Sequence, residues 1–325
     1  MTRVSVALCT YNGAAYIREQ LESIIAQTRP VDEIVIGDDG SSDATLDLVR
    51  DVLRDARPEV VVLSSGAGLG VTANFARTMA ATTGDVVVLS DQDDVWQPER
   101  VAGALAEIEA GAEFVFSDAR LVGASGSPLP WSLFEALEIG RREIEAVRGG
   151  DAFATLLRRN LATGATASVT RGALERALPF PDAWVHDEWL AVVTAAFAPL
   201  AIAEGRLVDY RQHDSNQIGV RKPTLRYKLR RILAPRGARY RNLERMARVL
   251  VERLVLLGAA PELIAAAEAK LDHQAARAAL PASRIARVPA VIREARTGRY
   301  RRYSSQGRRD ILRDLFSKGG GDDLE

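Results

Sequence analysis

Five short apolar runs, at positions 4–9, 33–37, 60–64, 86–90 and 114–117, recur through the first third of the chain. The intervals between them (15–27, 44–55, 72–81 and 99–110) carry apolar residues at helical spacing. Short runs rich in β-branched and apolar residues suit buried strands, and connections of this length suit crossover helices. The pattern therefore predicts an α/β fold, a parallel sheet covered by helices on both faces. In such sheets ligands collect outside the carboxyl ends of the strands. Beyond residue 118 the regularity weakens. The expected elements are a turn-rich loop at 123–130, a short amphipathic helix at 131–137, a helix at 144–159, a small-residue strand or loop at 161–170, a helix at 184–197, a last strand at 207–210 and a polar loop at 211–219. Asp43, after Ser41 and Ser42, reads as a helix N-cap region.

The chemistry is concentrated where the fourth run ends. Leu89-Ser90-Asp91-Gln92-Asp93-Asp94-Val95-Trp96 sets three carboxylates within four positions. Carboxylates packed that closely raise one another's pKa unless a cation or proton offsets them. A hard divalent ion fits, and it in turn takes an anionic ligand such as a diphosphate; the competing reading is an acidic surface turn. The first two strands end in Thr10-Tyr11-Asn12-Gly13 and Asp38-Asp39-Gly40-Ser41, whose short polar groups suit a base and ribose, although ordinary βα turns share that composition. Gly66-Ala67-Gly68-Leu69-Gly70 lacks the full dinucleotide fingerprint and follows the third strand rather than the first, so it reads as a loop near a nucleotide. Asp187, between Trp184 and Trp189 at a helix start, is a candidate general base, or else a carboxylate stabilising the helix dipole. His213 lies in a loop rich in groups that could hold phosphate, where it could complete a carboxylate metal site or meet a leaving phosphate; a surface histidine is the alternative.

Composition adds a division of charge. Residues 221–325 hold 25 Lys and Arg against 11 Asp and Glu, whereas residues 1–220 hold 18 against 32. An acidic body thus precedes a basic tail whose expected partner is an anionic membrane surface rather than nucleic acid. Within the tail, Arg299-Tyr300-Arg301-Arg302-Tyr303 precedes a short apolar helical face at 309–316. Residues 224–316 are Arg- and Ala-rich at helical spacing, with expected breaks at Pro235, Pro261, Pro281 and Pro289, and 319–325 reads as a flexible tip. The lone cysteine, Cys9, sits in an apolar run and reads as a core thiol compatible with a cytoplasmic setting. The start lacks the features of a signal peptide, and no run of 18 apolar residues predicts a membrane span.

Taken in order, Leu8-Cys9-Thr10-Tyr11-Asn12, Asp38-Asp39-Gly40-Ser41, Asn74, Asp91-Gln92-Asp93-Asp94 and Asp187 resemble family 2 of the inverting glycosyltransferases, over roughly residues 4–220. The resemblance implies a GT-A fold, with a nucleotide-binding half at about 1–118 and an acceptor half at about 119–220, followed by a helical basic region at 221–318. It implies that Thr10, Tyr11, Asn12, Asp38, Asp39, Asn74, Asp91 and Arg211 contact the nucleotide. Asp91 and Asp93, with His213, would hold Mg2+ or Mn2+, and Asp187 would be the catalytic base. Gly164, Thr166 and Trp189 would line the acceptor side. His186 stands where the family usually has Glu, and Ala73 precedes Asn74 where Arg is common. Asp187 with Trp189-Leu190, Arg211-Gln212-His213 and the Arg-Tyr-Arg-Arg-Tyr segment is most similar to the rhamnosyltransferase subset. That subset implies dTDP-rhamnose as donor and a saccharide or lipid-linked acceptor in surface-polysaccharide synthesis, at the inner face of the cell membrane. A UDP-hexose donor, an NAD-type oxidoreductase and a non-catalytic assembly scaffold are the alternatives.

Overall fold

The computed structural model describes residues 2–66, 68–213, 234 and 236–318. It separates into two compact units, one of residues 1–152 and 161–222, the other of residues 153–160 and 223–325.

The first unit is built on one sheet. β1 (Val4–Thr10), β2 (Glu33–Asp38), β3 (Glu59–Ser64) and β4 (Val86–Asp91) are parallel, in the order β3-β2-β1-β4. β1 and β2 are buried at every position, which is why their sequences are largely apolar. β3, at the sheet edge, alternates between exposed and half-buried residues. α1 (Ile17–Ile25), α2 (Thr45–Leu53), α3 (Val71–Ala80) and α4 (Arg100–Glu109) are the connecting helices, each burying one apolar stripe, such as Ile17, Leu21 and Ile24 of α1. Parallel pairing brings the loops after β1, β2 and β4 to one edge, which is the condition for a shared site.

The rest of the sheet departs from the sequence expectation. β5 (Val95–Trp96) is two residues long, and the last strand, β9 (Leu200–Gln212), runs for 13. β6 (Phe114–Gly123) lies between β8 (Ser168–Thr170) and β9 and also pairs with β7 (Pro128–Ser132). The turn-rich segment 123–130 is thus the bend and return of a β6–β7 hairpin. The amphipathic helix expected at 131–137 shrinks to α5 (Leu133–Ala136), capped by the Ser132 side chain. The single helix expected at 144–159 is two, α6 (Arg141–Arg148) and α7 (Ala152–Arg158), because Gly150 adopts φ +86° between them. α8 (Arg171–Ala177) and α9 (His186–Ala195) complete this unit.

The second unit is helical: nearly all of α7, then α10 (Arg239–Leu256), α11 (Pro261–Ala278), α12 (Arg284–Arg296), α13 (Arg299–Tyr303) and α14 (Arg309–Phe316). Pro261 opens α11 at a position where its missing N–H costs nothing. Pro289 does not end a helix as expected; it lies inside α12 on an exposed position, where the carbonyl it frees meets water. Pro235 and the loop from 214 lie outside the described residues. Several basic residues expected to face outward are structural instead. Arg277 donates to both oxygens of the buried Asp314 (2.7 and 3.1 Å), which also accepts from the Tyr240 and Tyr300 hydroxyls at 2.6 and 2.7 Å. Tyr300 is 1% exposed, in the core with Leu280 and Val291.

Candidate active site

The loops after β1 and β2 are stitched to one another. Asp38 accepts from the Thr10 hydroxyl at 2.9 Å, the Ser41 hydroxyl at 2.5 Å and the Gly40 and Ser41 N–H groups at 3.2 and 3.0 Å. Its carboxylate is 1% exposed and committed to the loop, so Asp38 and the Thr10 hydroxyl shape the site rather than reach a ligand, contrary to their expected nucleotide contact. Asn12 adopts φ +48° and accepts from the Ser42 N–H at 2.8 Å; short side chains tolerate that conformation. Tyr11 presents a half-exposed ring while its main chain is held from both sides by the Gln92 amide (2.8 and 3.0 Å).

Asp39 reaches the Gly-rich loop and accepts from the Leu69 and Gly70 N–H groups at 2.6 and 2.9 Å. Those are the donors a dinucleotide pyrophosphate would need, and a carboxylate already holds them. Asn74 is a second departure from expectation. Buried at 3% exposure, it donates to the Gly37 carbonyl at 2.7 Å and accepts from Arg77 at 2.9 Å, so it braces α3 on β2 instead of meeting the nucleotide.

The acidic run is a tight turn between β4 and β5. β5 pairs with β9 through Val95 with Asp209 and Trp96 with Val208, which docks the turn against the end of the long strand. There Arg211, 3% exposed, fastens it. Its main-chain N–H donates to Asp94 Oδ1 at 3.0 Å, its Nε to the Asp93 carbonyl at 2.8 Å and its Nη2 to Glu19 at 2.6 Å. Arg211 was expected to contact the nucleotide; its guanidinium is spent on the turn. His213 Nε2 lies 2.8 Å from Asp93 Oδ2, and its ring stacks on Tyr16 at 4.8 Å between centroids.

The Asp91 carboxylate accepts no hydrogen bond among the described residues, although its carbonyl takes the Ser90 hydroxyl at 3.2 Å. Burial, then the charges of Asp93 and Asp187, push its pKa up to about 7 against the pull of Arg100. Burial, then the charges of Asp93 and Asp91, also hold Asp94 well above the usual range, and one of its oxygens, Oδ2, has no partner among the described residues. Arg100, 2% exposed, lies beneath them, stacked 4.4 Å over Trp96 and donating to the Leu89 carbonyl at 3.0 Å. Burial depresses its pKa to about 9 while Asp94 and Asp91 oppose that shift.

Among the described residues no three His, Cys, Asp or Glu side chains form a ready-made metal cage, so the expected Asp91–Asp93–His213 trio is not gathered as one cluster. Asp93 and His213 touch, and Asp91 is joined to them by charge. That arrangement still fits a divalent ion whose remaining ligands are diphosphate oxygens, because Mg2+-type sites use one or two carboxylates plus substrate phosphate. The unbonded Asp91 and the orphaned Asp94 oxygen are groups that added positive charge would relieve.

Asp187 opens α9 and is 9% exposed. Its Oδ2 accepts from the Gly164 N–H at 2.8 Å and its Oδ1 from the Glu188 N–H at 2.7 Å. Gly164 must be glycine, since a Cβ there would stand 2.8 Å from His186 Nε2. His186 is buried and stacked on Phe75 at 4.0 Å, so the position before Asp187 carries a packing residue. Two residues expected on the acceptor side are not available to it. Trp189 is fully buried and donates to the Ala177 carbonyl at 2.8 Å, and Thr166, 3% exposed, turns its hydroxyl onto the Thr163 carbonyl at 3.0 Å. Sequence reading overlooked Arg100, Gln92 and Tyr16. Arg100 had a signal, because three packed carboxylates call for a nearby cation.

The raised Asp91 gives a pH test. In the native state it binds a proton between its ordinary value of 3.8 and about 7 that the unfolded chain has released. Its contribution therefore destabilises increasingly as pH rises through that window. Asp91→Asn is expected to gain melting temperature relative to the parent on going from pH 4.5 to pH 7.5 in EDTA. A constant difference between the two chains would refute the coupling.

Residues 5–162 match the profile of Glycosyl transferase family 2. Among curated proteins, the chain is 33% identical over 128 residues to the Bacillus subtilis protein TuaG, described as a putative teichuronic acid biosynthesis glycosyltransferase, covering 39% of this chain and 50% of that one. It is 34% identical to the dTDP-rhamnosyl transferase RfbG of Shigella flexneri, covering 30% of this chain and 35% of that one. The chain spans half or less of the length of these curated relatives. Among solved structures, the Pyrobaculum calidifontis mannosyltransferase PcManGT, in complex with GDP-Man and Mn2+, superposes with a TM-score of 0.52 at 22% identity, over 96% of this chain and 86% of that one. The parallel sheet, the loops gathered at its carboxyl edge and the matched profile lead to one assignment: residues 5–162 carry the glycosyl transferase family 2 profile, and the chain has the GT-A fold.

Proposed function

We propose that this chain is an inverting, divalent-metal-dependent glycosyltransferase of surface-polysaccharide synthesis. It moves a sugar from a nucleotide-sugar donor to a saccharide or lipid-linked acceptor. The observation that carries the reading is the pairing of Asp187, fixed by the Gly164 N–H, with Asp91, whose pKa it raises: a candidate base faces a candidate diphosphate site. Asp187 takes the proton from an acceptor hydroxyl as that oxygen attacks the anomeric carbon on the face opposite the leaving group. Asp91 and Asp93, with His213 held against Asp93, would hold Mg2+ or Mn2+, which would supply positive charge to the departing nucleoside diphosphate. Tyr11, Asn12 and Asp39 line the nucleoside side, and Gly164 the acceptor side. The donor we propose is dTDP-rhamnose, supported by the similarity to RfbG. A peripheral position at the inner membrane face is part of the same reading; no helix among the described residues is long and apolar enough to cross a membrane.

A nucleotide-sugar panel with Mn2+, scoring hydrolysis and thermal stabilisation, tests this. dTDP-rhamnose should stabilise and turn over most, and a UDP-hexose doing so instead would replace the donor assignment. Asp93→Ala is expected to lower nucleotide affinity in Mn2+ by about 10- to 100-fold, the range typical when a metal site is impaired. Equal affinity with and without Mn2+ in the parent would remove the metal from the mechanism.

A further inference from the structure

The helical unit contains a cavity of about 290 Å³ lined by Ala295, Thr297, Tyr300, Arg301, Arg302, Arg308 and their neighbours, with no acidic residue in the lining. Nearby arginines are neutralised within the unit: Arg299 pairs with Asp272 at 2.9 Å and Glu294 at 3.6 Å, and Arg277 with Asp314. Arg301, Arg302 and Arg308 are exposed and have no carboxylate partner among the described residues. Three guanidinium groups facing one recess without a counter-charge make a site for an anion, and their planar forks match phosphate oxygens.

The surface beside the recess is apolar. Ile285, Val288 and Ile292 are 86%, 38% and 46% exposed and stand at i, i+3 and i+7 on α12, which makes them one stripe. On α14, Leu312 and Phe316 are 47% and 49% exposed, one turn apart, beside the Ile311 that lines the cavity. Exposed arginines, among them Arg284, Arg293, Arg296 and Arg309, flank both helices. A basic recess with room for a phosphate headgroup, bordered by exposed aliphatic and aromatic side chains, has the complementarity of a lipid: headgroup in the recess, acyl region against the stripe.

We propose that the recess formed by Arg301, Arg302 and Arg308 is a headgroup site for an anionic phospholipid, and that the stripe of Ile285, Val288, Ile292, Leu312 and Phe316 enters the bilayer beside it. The inference rests on the peripheral-membrane reading and gives that reading an address.

The test is flotation of the full chain with vesicles of phosphatidylglycerol and phosphatidylcholine, against phosphatidylcholine alone. The parent should float only with the anionic vesicles, less so as salt rises. Arg301→Gln/Arg302→Gln/Arg308→Gln should lose affinity at least about tenfold, and the triple Lys variant should recover most of it. Ile292→Ser/Phe316→Ser should also float poorly, with thermal melts confirming that every variant folds. If the parent does not float, the membrane reading itself falls. If the parent and the Gln variant float alike, membrane binding stands and this site is overturned. Loss of inorganic-phosphate stabilisation in the Gln variant, with flotation intact, would assign the recess to a soluble phosphate and overturn the headgroup. Conversion from dimer to monomer with flotation intact would make the stripe an interface between copies and overturn the proposal.

Discussion

Asp187→Asn is expected to lower sugar transfer by about 10²- to 10⁴-fold, the range associated with loss of a general base, while nucleotide affinity changes less than about twofold. The two expectations separate because Asp187 and the nucleoside-side loops are held by different parts of the unit. Asp187 is fixed by α9 and the Gly164 N–H, whereas Tyr11 and Asn12 are fixed by Gln92, Ser41 and Ser42. The substitution is not silent locally. Both carboxylate oxygens accept main-chain N–H bonds, at 2.8 and 2.7 Å, and an amide can serve only one of them. A modest loss of melting temperature should accompany the loss of activity. Single-turnover transfer measured beside nucleotide titration distinguishes the outcomes. Transfer near the parent rate would remove Asp187 from the base role, and parallel loss of transfer and nucleotide affinity would make it a structural residue.

The legible part of the chain is the part whose pattern is set locally. β1, β2 and β4 are apolar at nearly every position because both faces of the central sheet are covered, and their sequences announce it. The sequence marks only residues 207–210 of β9, because Ala201 and Ala203 have no strand character of their own and are extended by pairing with β6, while Glu204 and Gly205 lie where the register shifts. The candidate site divides in the same way. Asp91, Asp93 and Asp187 could be picked out because packed or oddly placed carboxylates are costly wherever they stand. Asp38, Asn74, Arg211 and Trp189 were misjudged for one reason. A polar side chain looks alike in sequence whether it faces a ligand or another group of the protein, and Trp189 shows its indole bond to the Ala177 carbonyl only once α8 and α9 have packed.

Arg100→Met should destabilise the site by a margin that opens above about pH 7, reaching about 1 kcal/mol at pH 7.5 beyond the packing loss, because it removes the cation that lowers the pKa of both Asp91 and Asp94. Methionine fills much of the same space, so the loss is mainly electrostatic: Arg100 is the buried cation that offsets both Asp91 and Asp94. The sign of the pH dependence follows. With Arg100 gone, both carboxyl groups rise further above their unfolded values, so the native state retains protons the unfolded chain releases and the deficit grows with pH. Near pH 4 the carboxyl groups are protonated in both chains and the deficit should shrink to the packing loss. Urea unfolding of the parent and Arg100→Met at the two pH values, in EDTA, measures this. Mn2+ should restore part of the stability at pH 7.5 by replacing the missing positive charge, and Arg100→Met/Asp94→Asn should recover part of it without metal. A deficit that is the same at both pH values would reduce Arg100 to a packing residue beneath the acidic turn.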